Sequence, residues 1–306
     1  MPASLARPRA LRPGDKVAVL CISSPVDPGR LDGGLEVLRF AGFDPVTYPS
    51  AHDQGSLRSY LAGEDKMRAG DLRSALLDPA IAGILFAKGG AGAQRTLEAL
   101  DWDGLEQVAP KVLVGYSDVT AVLEAVAVRL GWASLFGPVA ALGADAYSFS
   151  SMLRVLTRPA DATVMRFPRA STVVPGVARG VTTGGTLTLL ASSLGTDTSW
   201  LARDGIVLLE DVEEEPYRVD RMLTQLRRSG YLDGAAGIIT GTFTNCGPAE
   251  EIDAILTERL AGLGVPMISW ANIGHGGAFQ TFPIGIAAEL DADARTLRLL
   301  DPPLEP

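Results

Sequence analysis

The sequence predicts an α/β fold: an N-terminal parallel-sheet domain with flanking helices, then a smaller C-terminal α/β domain of mixed strands, with the functional site in the cleft between them. Three observations predict it. Continuous apolar runs recur and end in Ser, Pro or Gly, as buried parallel strands do. Segments of helical spacing lie between them. Between about residues 148 and 180 the rhythm breaks into a stretch rich in Pro, Thr and Arg, and afterwards it restarts. At 306 residues, 47% of them hydrophobic, the chain exceeds the usual single-core size and has ample core material.

In order, "KVAVLCISSP" (16–25) reads as a buried strand feeding a loop, "LDGGLEVLRFAG" as a helix stopped by Gly, and "FDPVTYPS" as a second strand. A helix "GEDKMRAGDLRSALLD", a strand "IAGILFAKGG" and a helix "AQRTLEAL" continue the alternation. The strand "KVLVG" and a helix from Val119 to Leu130 complete this half. Strands alternating with helices imply a parallel sheet with ligands at the carboxyl ends of its strands. The second half reads as the helix "GTLTLLASSLG", the strand "GIVLLEDV", the amphipathic helix "YRVDRMLTQLRRSGYL" and the strand "AAGIITGTF". The helix "AEEIDAILTERLAGLG", the strand "VPMISW" and a hairpin "GIAAELDADARTLRLLD" follow. The domains predicted are 1–160 and 181–306, with 161–180 as linker or crossover. No internal repeat is visible.

Composition excludes several classes of function. The net charge is −9 without a long Lys/Arg run, which disfavours nucleic acid and anionic membrane, since both need a concentrated basic face. A small-molecule substrate fits better. Cys21 and Cys246 are the only cysteines, too few for a disulfide framework or a CxxC metal site, and no metal or cofactor is predicted. The start carries Arg7, Arg9 and Arg12 but no apolar run before Pro13, unlike a signal peptide, and no spanning segment of about 18 apolar residues occurs. The expected location is cytoplasmic.

The candidate chemistry concentrates in a few places. Ser117, in "GYSD", sits where a strand turns into a helix. It reads either as a nucleophile on a tight turn or as a helix N-cap, and the second Gly of a G-x-S-x-G elbow is missing. The amide of Asp118 lies at the positive end of that helix, where an oxyanion is stabilised. Of the two histidines, His52 lies in a polar loop and reads as solvated, whereas His275 lies between glycines in "GHGG" and is the general-base candidate. Glu210 and Asp211 end an apolar strand, where a carboxylate needs a partner, and a histidine is one solution. Glu213 to Glu215 read as a solvated run, with Pro216 opening the next helix. A metal pair from Glu210 and Asp211 is weak, because strand neighbours face opposite ways. The glycine loop "FAKGGAGAQRTL" (86–97) exposes amides to an anion, but it has neither the Walker A nor the GxGxxG spacing.

Taken together, "YLAGEDKMRAGDLRSALLDPAIAGILFAKGGAGAQRTLEALD", "GYSDVTAV", "GGTLTLLASSLGT", "LLEDVEEEPYRVDRMLTQLRRSG" and "GHGGAFQTFPIG" resemble, in order, the LD-carboxypeptidases. This serine peptidase family also holds the microcin C7 self-immunity peptidases. The resemblance implies Ser117 as nucleophile, Glu210 as the carboxylate and His275 as the base, with the amides of Asp118 and Gly90 as the oxyanion hole. It also implies a metal-independent, two-domain enzyme that is commonly a homodimer, acting on a small peptide in the cytoplasm. The implied reaction is hydrolysis of the L,D-bond before a terminal D-amino acid in murein tetrapeptides, as in peptidoglycan recycling.

This sequence departs from the family at Lys88 and Ala91, where Arg and Tyr are usual, at Thr186 for Asn, and at Phe136 for His. These departures bear on the substrate pocket. Two rivals remain: an immunity-type peptidase cleaving peptidyl or aminoacyl nucleotides, which an extra aromatic wall would favour, and a non-catalytic small-molecule binding protein. Trp200 and Trp270 read as core residues rather than as such a wall.

Overall fold

The computed structural model describes residues 3–142 and 145–306. Two sheets carry the fold. The first takes β1 (Lys16–Leu20), β2 (Asp44–Thr47), β3 (Ile81–Phe86), β4 (Val112–Gly115) and β5 (Ser134–Phe136). Its helices are α1 (Pro28–Phe40), α2 (Asp65–Leu77), α3 (Ala93–Ala99), α4 (Thr120–Leu130) and α5 (Ala146–Thr157). The second sheet takes β6 (Val164–Arg166), β7 (Ser171–Val174), β8 (Val177–Thr186), β9 (Gly205–Val212), β10 (Gly237–Thr244) and β11 (Met267–Ser269). Around it lie α6 (Leu187–Ser193), α7 (Pro216–Arg228) and α8 (Ala249–Leu260). The chain closes with β12 (Phe282–Ile284), β13 (Ala287–Asp291) and β14 (Thr296–Leu299).

The first sheet runs β12-β5-β4-β3-β1-β2 and the second β6-β14-β13-β8-β9-β10-β11-β7. The apolar runs read as buried strands are so: Val17 to Leu20 and Gly83 to Phe86 are covered, which a parallel sheet with helices on both faces requires. The expected hairpin forms, with Ala288 opposite Leu299 and Asp291 opposite Thr296. After a short 3-10 turn at Pro159–Ala162, the stretch up to residue 180 forms β6, β7 and the start of β8 in the second sheet.

Three elements differ from the sequence reading. The helix α5 occupies part of the stretch read as irregular, and its Asp145 accepts from Tyr147 N as an N-cap. β5 and β12 pair antiparallel, Phe136 with Phe282, which returns the chain after His275 to the first sheet. Both strands are three residues long, below the length at which period-2 patterning shows. Among the described residues, no helix is long and apolar enough to cross a membrane.

Where α4 packs on α6 and β8, Glu124 is 3% exposed. Its Oε1 accepts from Trp200 N at 3.3 Å, while Oε2 has no partner among the described residues. Burial pushes this carboxyl up to about 8, and the hydrogen bond from Trp200 N, with the nearby Ser193 side chain, offsets only part of that. The buried Tyr231, whose hydroxyl is also unpartnered among the described residues, faces the same carboxyl. Between the unfolded carboxyl value and about 8, the folded protein holds a proton that the unfolded chain has lost, so stability falls as pH rises through this window. Glu124→Gln removes the dependence. Unfolding free energies of variant and parent, from urea titrations, should agree near pH 5 and diverge in the variant's favour by pH 9, by about 4 kcal/mol.

Candidate active site

The carboxyl ends of β1, β3 and β4 deliver their loops to one side of the first sheet, where ligands of such sheets bind. There a cavity of about 360 Å³ is lined by Arg30, Lys88, Gly90, Tyr116, Ser117 and His275, among others. All but His275 come from the first half of the chain, so the cavity lies between the two halves.

Ser117 is the first residue after the strand-to-helix junction. It opens a single 3-10 turn, Ser117–Val119, and its side chain caps neither that turn nor α4. The N-cap reading is therefore not what the structure shows. Instead Ser117 has φ 64°, a left-handed conformation that costs energy in a non-glycine residue and holds the side chain clear of the helix. The glycine loop packs directly on it: a Cβ at Gly89 would lie 2.9 Å from Ser117 Cβ and 3.1 Å from its Oγ.

Glu210 lies near the carboxyl end of β9, is fully buried, and stands opposite Thr186 of β8. Its Oε2 accepts from His275 Nδ1 at 2.7 Å and from His275 N at 3.1 Å. Its Oε1 accepts from Thr186 Oγ1 at 2.6 Å. Because an ionised carboxylate only accepts, this pairing puts the imidazole proton on Nδ1 and leaves Nε2 with its lone pair. The loop reaches Glu210 only because residue 274 is glycine. Its φ is +110°, and a Cβ there would lie 2.3 Å from Glu210 Oε2. Burial works against the imidazolium, but the hydrogen bond to Glu210 and its charge, with Asp211 and Glu213 adding to it, raise the His275 pKa above the ordinary value. The Ser117–His275 hydrogen bond itself is not formed in this structure, whereas the His275–Glu210 pair is.

Tyr116 walls the cavity. Its ring lies 4.8 Å from the imidazole and 5.2 Å from Phe279, centroid to centroid, and burial with the charge of Glu210 pushes its hydroxyl up to about 12. Asp211 faces away from Glu210, accepting from Thr188 N and Thr188 Oγ1, each at 2.8 Å, as strand alternation requires. Burial raises its pKa to about 6. His52 is exposed and bonded to Thr47 Oγ1, away from the cavity. The amides of Gly90 and Asp118 donate to no acceptor among the described turn and side-chain hydrogen bonds.

Of the four departures placed in the pocket, only Lys88 lines it. Thr186 instead holds Glu210. Phe136 is buried and packs edge-on against Tyr116 at 6.1 Å, and Ala91 N donates to Ser24 Oγ at 3.0 Å. Trp200 and Trp270 pack against the cores, and Tyr116 is the only Phe, Tyr or Trp in the cavity among the described residues. Sequence reasoning missed Tyr116, Thr186 as a partner of Glu210, and the cation Arg30. The Asp27-Pro28 start of α1, just after a parallel strand, was a usable signal for Arg30.

A carboxylate-paired imidazole sharing a cleft with a hydroxyl on a strained turn is the equipment of a hydrolase. Comparison with known proteins narrows the class. The LD-carboxypeptidase N-terminal domain matches residues 17–137, and the LD-carboxypeptidase C-terminal domain matches residues 179–290. A putative carboxypeptidase of Streptomyces coelicolor is 47% identical over 305 residues, covering 98% of each chain. A probable murein peptide carboxypeptidase of Bacillus subtilis is 32% identical over 300 residues, covering 95% of this chain and 93% of the other. Among solved structures, the microcin C7 self-immunity protein bound to glutamyl sulfamoyl guanosine has a TM-score of 0.88 at 22% identity, covering 98% of this chain and 100% of the other, which shows the shared fold. The chain belongs to the LD-carboxypeptidase family and is a carboxypeptidase-class hydrolase. Family membership sets aside the reading as a non-catalytic binding protein.

Proposed function

We propose that this enzyme is a serine carboxypeptidase that hydrolyses the L,D-peptide bond before a terminal D-amino acid in murein tetrapeptides. Ser117 attacks the carbonyl, His275 Nε2 takes its proton and returns it to the leaving amine, and Glu210 orients the imidazole and stabilises its cation. The amides of Gly90 and Asp118 receive the oxyanion. Water then releases the acyl-enzyme. The observation that carries the reading is the buried Glu210 bonded to His275 Nδ1, which leaves Nε2 basic in the cavity that Ser117 lines. The 32% identity to a probable murein peptide carboxypeptidase supports the substrate class, and a cavity whose aromatic wall is a single tyrosine, among the described residues, gives a nucleobase little to stack on.

The cavity also suits a free terminal carboxylate. Arg30 and Lys88 both line it; Lys88 Nζ donates to Pro25 O at 3.0 Å, and Arg30 forms no ion pair among the described residues. Arg30→Ala should raise KM for the tetrapeptide about tenfold, with kcat within about twofold, and leave turnover of the C-terminal amide unchanged. Steady-state kinetics on the acid and amide pair checks this.

The reading is tested by a substrate panel comparing a murein tetrapeptide, its all-L diastereomer and an aminoacyl sulfamoyl adenylate, with products followed by mass spectrometry. D-alanine released from the first alone is the expected result. Cleavage of the adenylate in preference to the tetrapeptide would replace this reading with the immunity-type one.

A further inference from the structure

The carboxylate of Asp118 lies outside the reaction as proposed, yet it is only 5% exposed and joins three loops. Its Oδ2 accepts from Ser23 Oγ, on the loop after β1, at 2.6 Å, and from Ala93 N, the first residue of α3, at 2.8 Å. Burial raises its pKa, and these two bonds work in the opposite direction. The neighbouring Ser24 holds the same glycine loop from its other side. Ser24 N donates to Gly89 O at 3.3 Å, Ala91 N donates to Ser24 Oγ, and that hydroxyl donates to Tyr60 O at 2.8 Å. Gly90 sits so tightly on this hydroxyl that a Cβ would lie 2.2 Å from Ser24 Oγ.

The two amides assigned to the oxyanion therefore belong to separate loops, Gly90 after β3 and Asp118 after β4. No ladder hydrogen bond joins residues 89–92 to residues 116–118, because the β3–β4 pairing stops at Leu85 and Val114. What joins them is the Asp118 carboxylate with Ser23 and Ser24. An oxyanion hole works only when its donors are already at the right separation, since reorganising them during the reaction cancels the gain. We infer that Asp118 and Ser23, with Ser24, are positioning residues that fix the separation of the Gly90 and Asp118 amides, so that they act on the transition state and not on substrate binding. The inference rests on Ser117 being the nucleophile.

The test uses Ser23→Ala, Ser24→Ala, Asp118→Asn and Asp118→Ala in the whole enzyme. Active sites are counted by fluorophosphonate labelling, and kcat per labelled site, KM and affinity for a tetrahedral peptide boronate are measured. Asn retains a carbonyl oxygen able to accept both bonds, so D118N should keep more activity than Asp118→Ala. In S23A and S24A, kcat per labelled site should fall about tenfold and boronate affinity by the same factor, with KM within about twofold. A merely structural role would lower the labelled fraction or the unfolding midpoint and leave kcat per site unchanged; that result in both serine variants overturns the inference. Absence of label on Ser117 in the parent enzyme overturns the underlying nucleophile assignment instead, and the inference with it.

Discussion

Glu210→Gln should lower kcat by about 10³–10⁴ and move the acid limb of the pH profile to lower pH. The carboxylate has three partners, Thr186 Oγ1, His275 N and His275 Nδ1, and all three donate to it. Glutamine keeps one acceptor oxygen and adds an amide donor. If its NH₂ faces Nδ1, the imidazole must present a lone pair there and carry its proton on Nε2, where a base is needed. The cost of a wrong tautomer in other triads is about 10⁴ in kcat. The pH effect has a definite sign. The base acts when neutral, so in the parent kcat/KM rises with pH through the His275 pKa, which Glu210 raises above the usual imidazole value against the opposing effect of burial. Without the Glu210 hydrogen bond and charge, burial is left to dominate, and the limb moves down. Profiles of kcat/KM from pH 5 to 9 on both proteins decide it. An acid limb that stays in place or moves up removes Glu210 from its assigned role.

Ser117→Ala should abolish D-alanine release, a loss of about 10⁴ or more in kcat, while folding is retained. Its hydroxyl caps no helix, and alanine carries the same left-handed strain at φ 64°, so the unfolding free energy should stay within about 0.5 kcal/mol of the parent. Ser117→Gly should be equally inactive but somewhat more stable, because glycine takes this conformation without the steric cost. Stability lost together with activity would mark Ser117 as a structural cap.

The fold was legible where burial writes a long signal. Runs such as Val17 to Leu20 and Ile206 to Leu209 are apolar at every position because both faces of these strands are buried. β5 and β12 were not legible, since three residues carry no periodicity and their pairing joins positions 136 and 282. The site divides in the same way. Ser117 showed as a hydroxyl at a strand-to-helix turn, but cap and nucleophile have the same local sequence, and it is the backbone angle and the missing cap bond that set the cap aside. His275 showed through its flanking glycines. Its bond to Glu210 spans 65 positions, which local reasoning cannot reach and which the ordered family motifs implied. Thr186 was misplaced because a departure from a family pattern says that a contact differs without saying which one. The structure puts it on the carboxylate and not in the cavity.

Treating the full-length enzyme with a fluorophosphonate and mapping the adduct by peptide mass spectrometry tests the central claim most directly. The account predicts a single adduct on Ser117, formed much more slowly in the Glu210→Gln variant and competed away by murein tetrapeptide. An unlabelled Ser117 in a preparation that releases D-alanine, or an adduct on another serine whose replacement stops turnover, would contradict it.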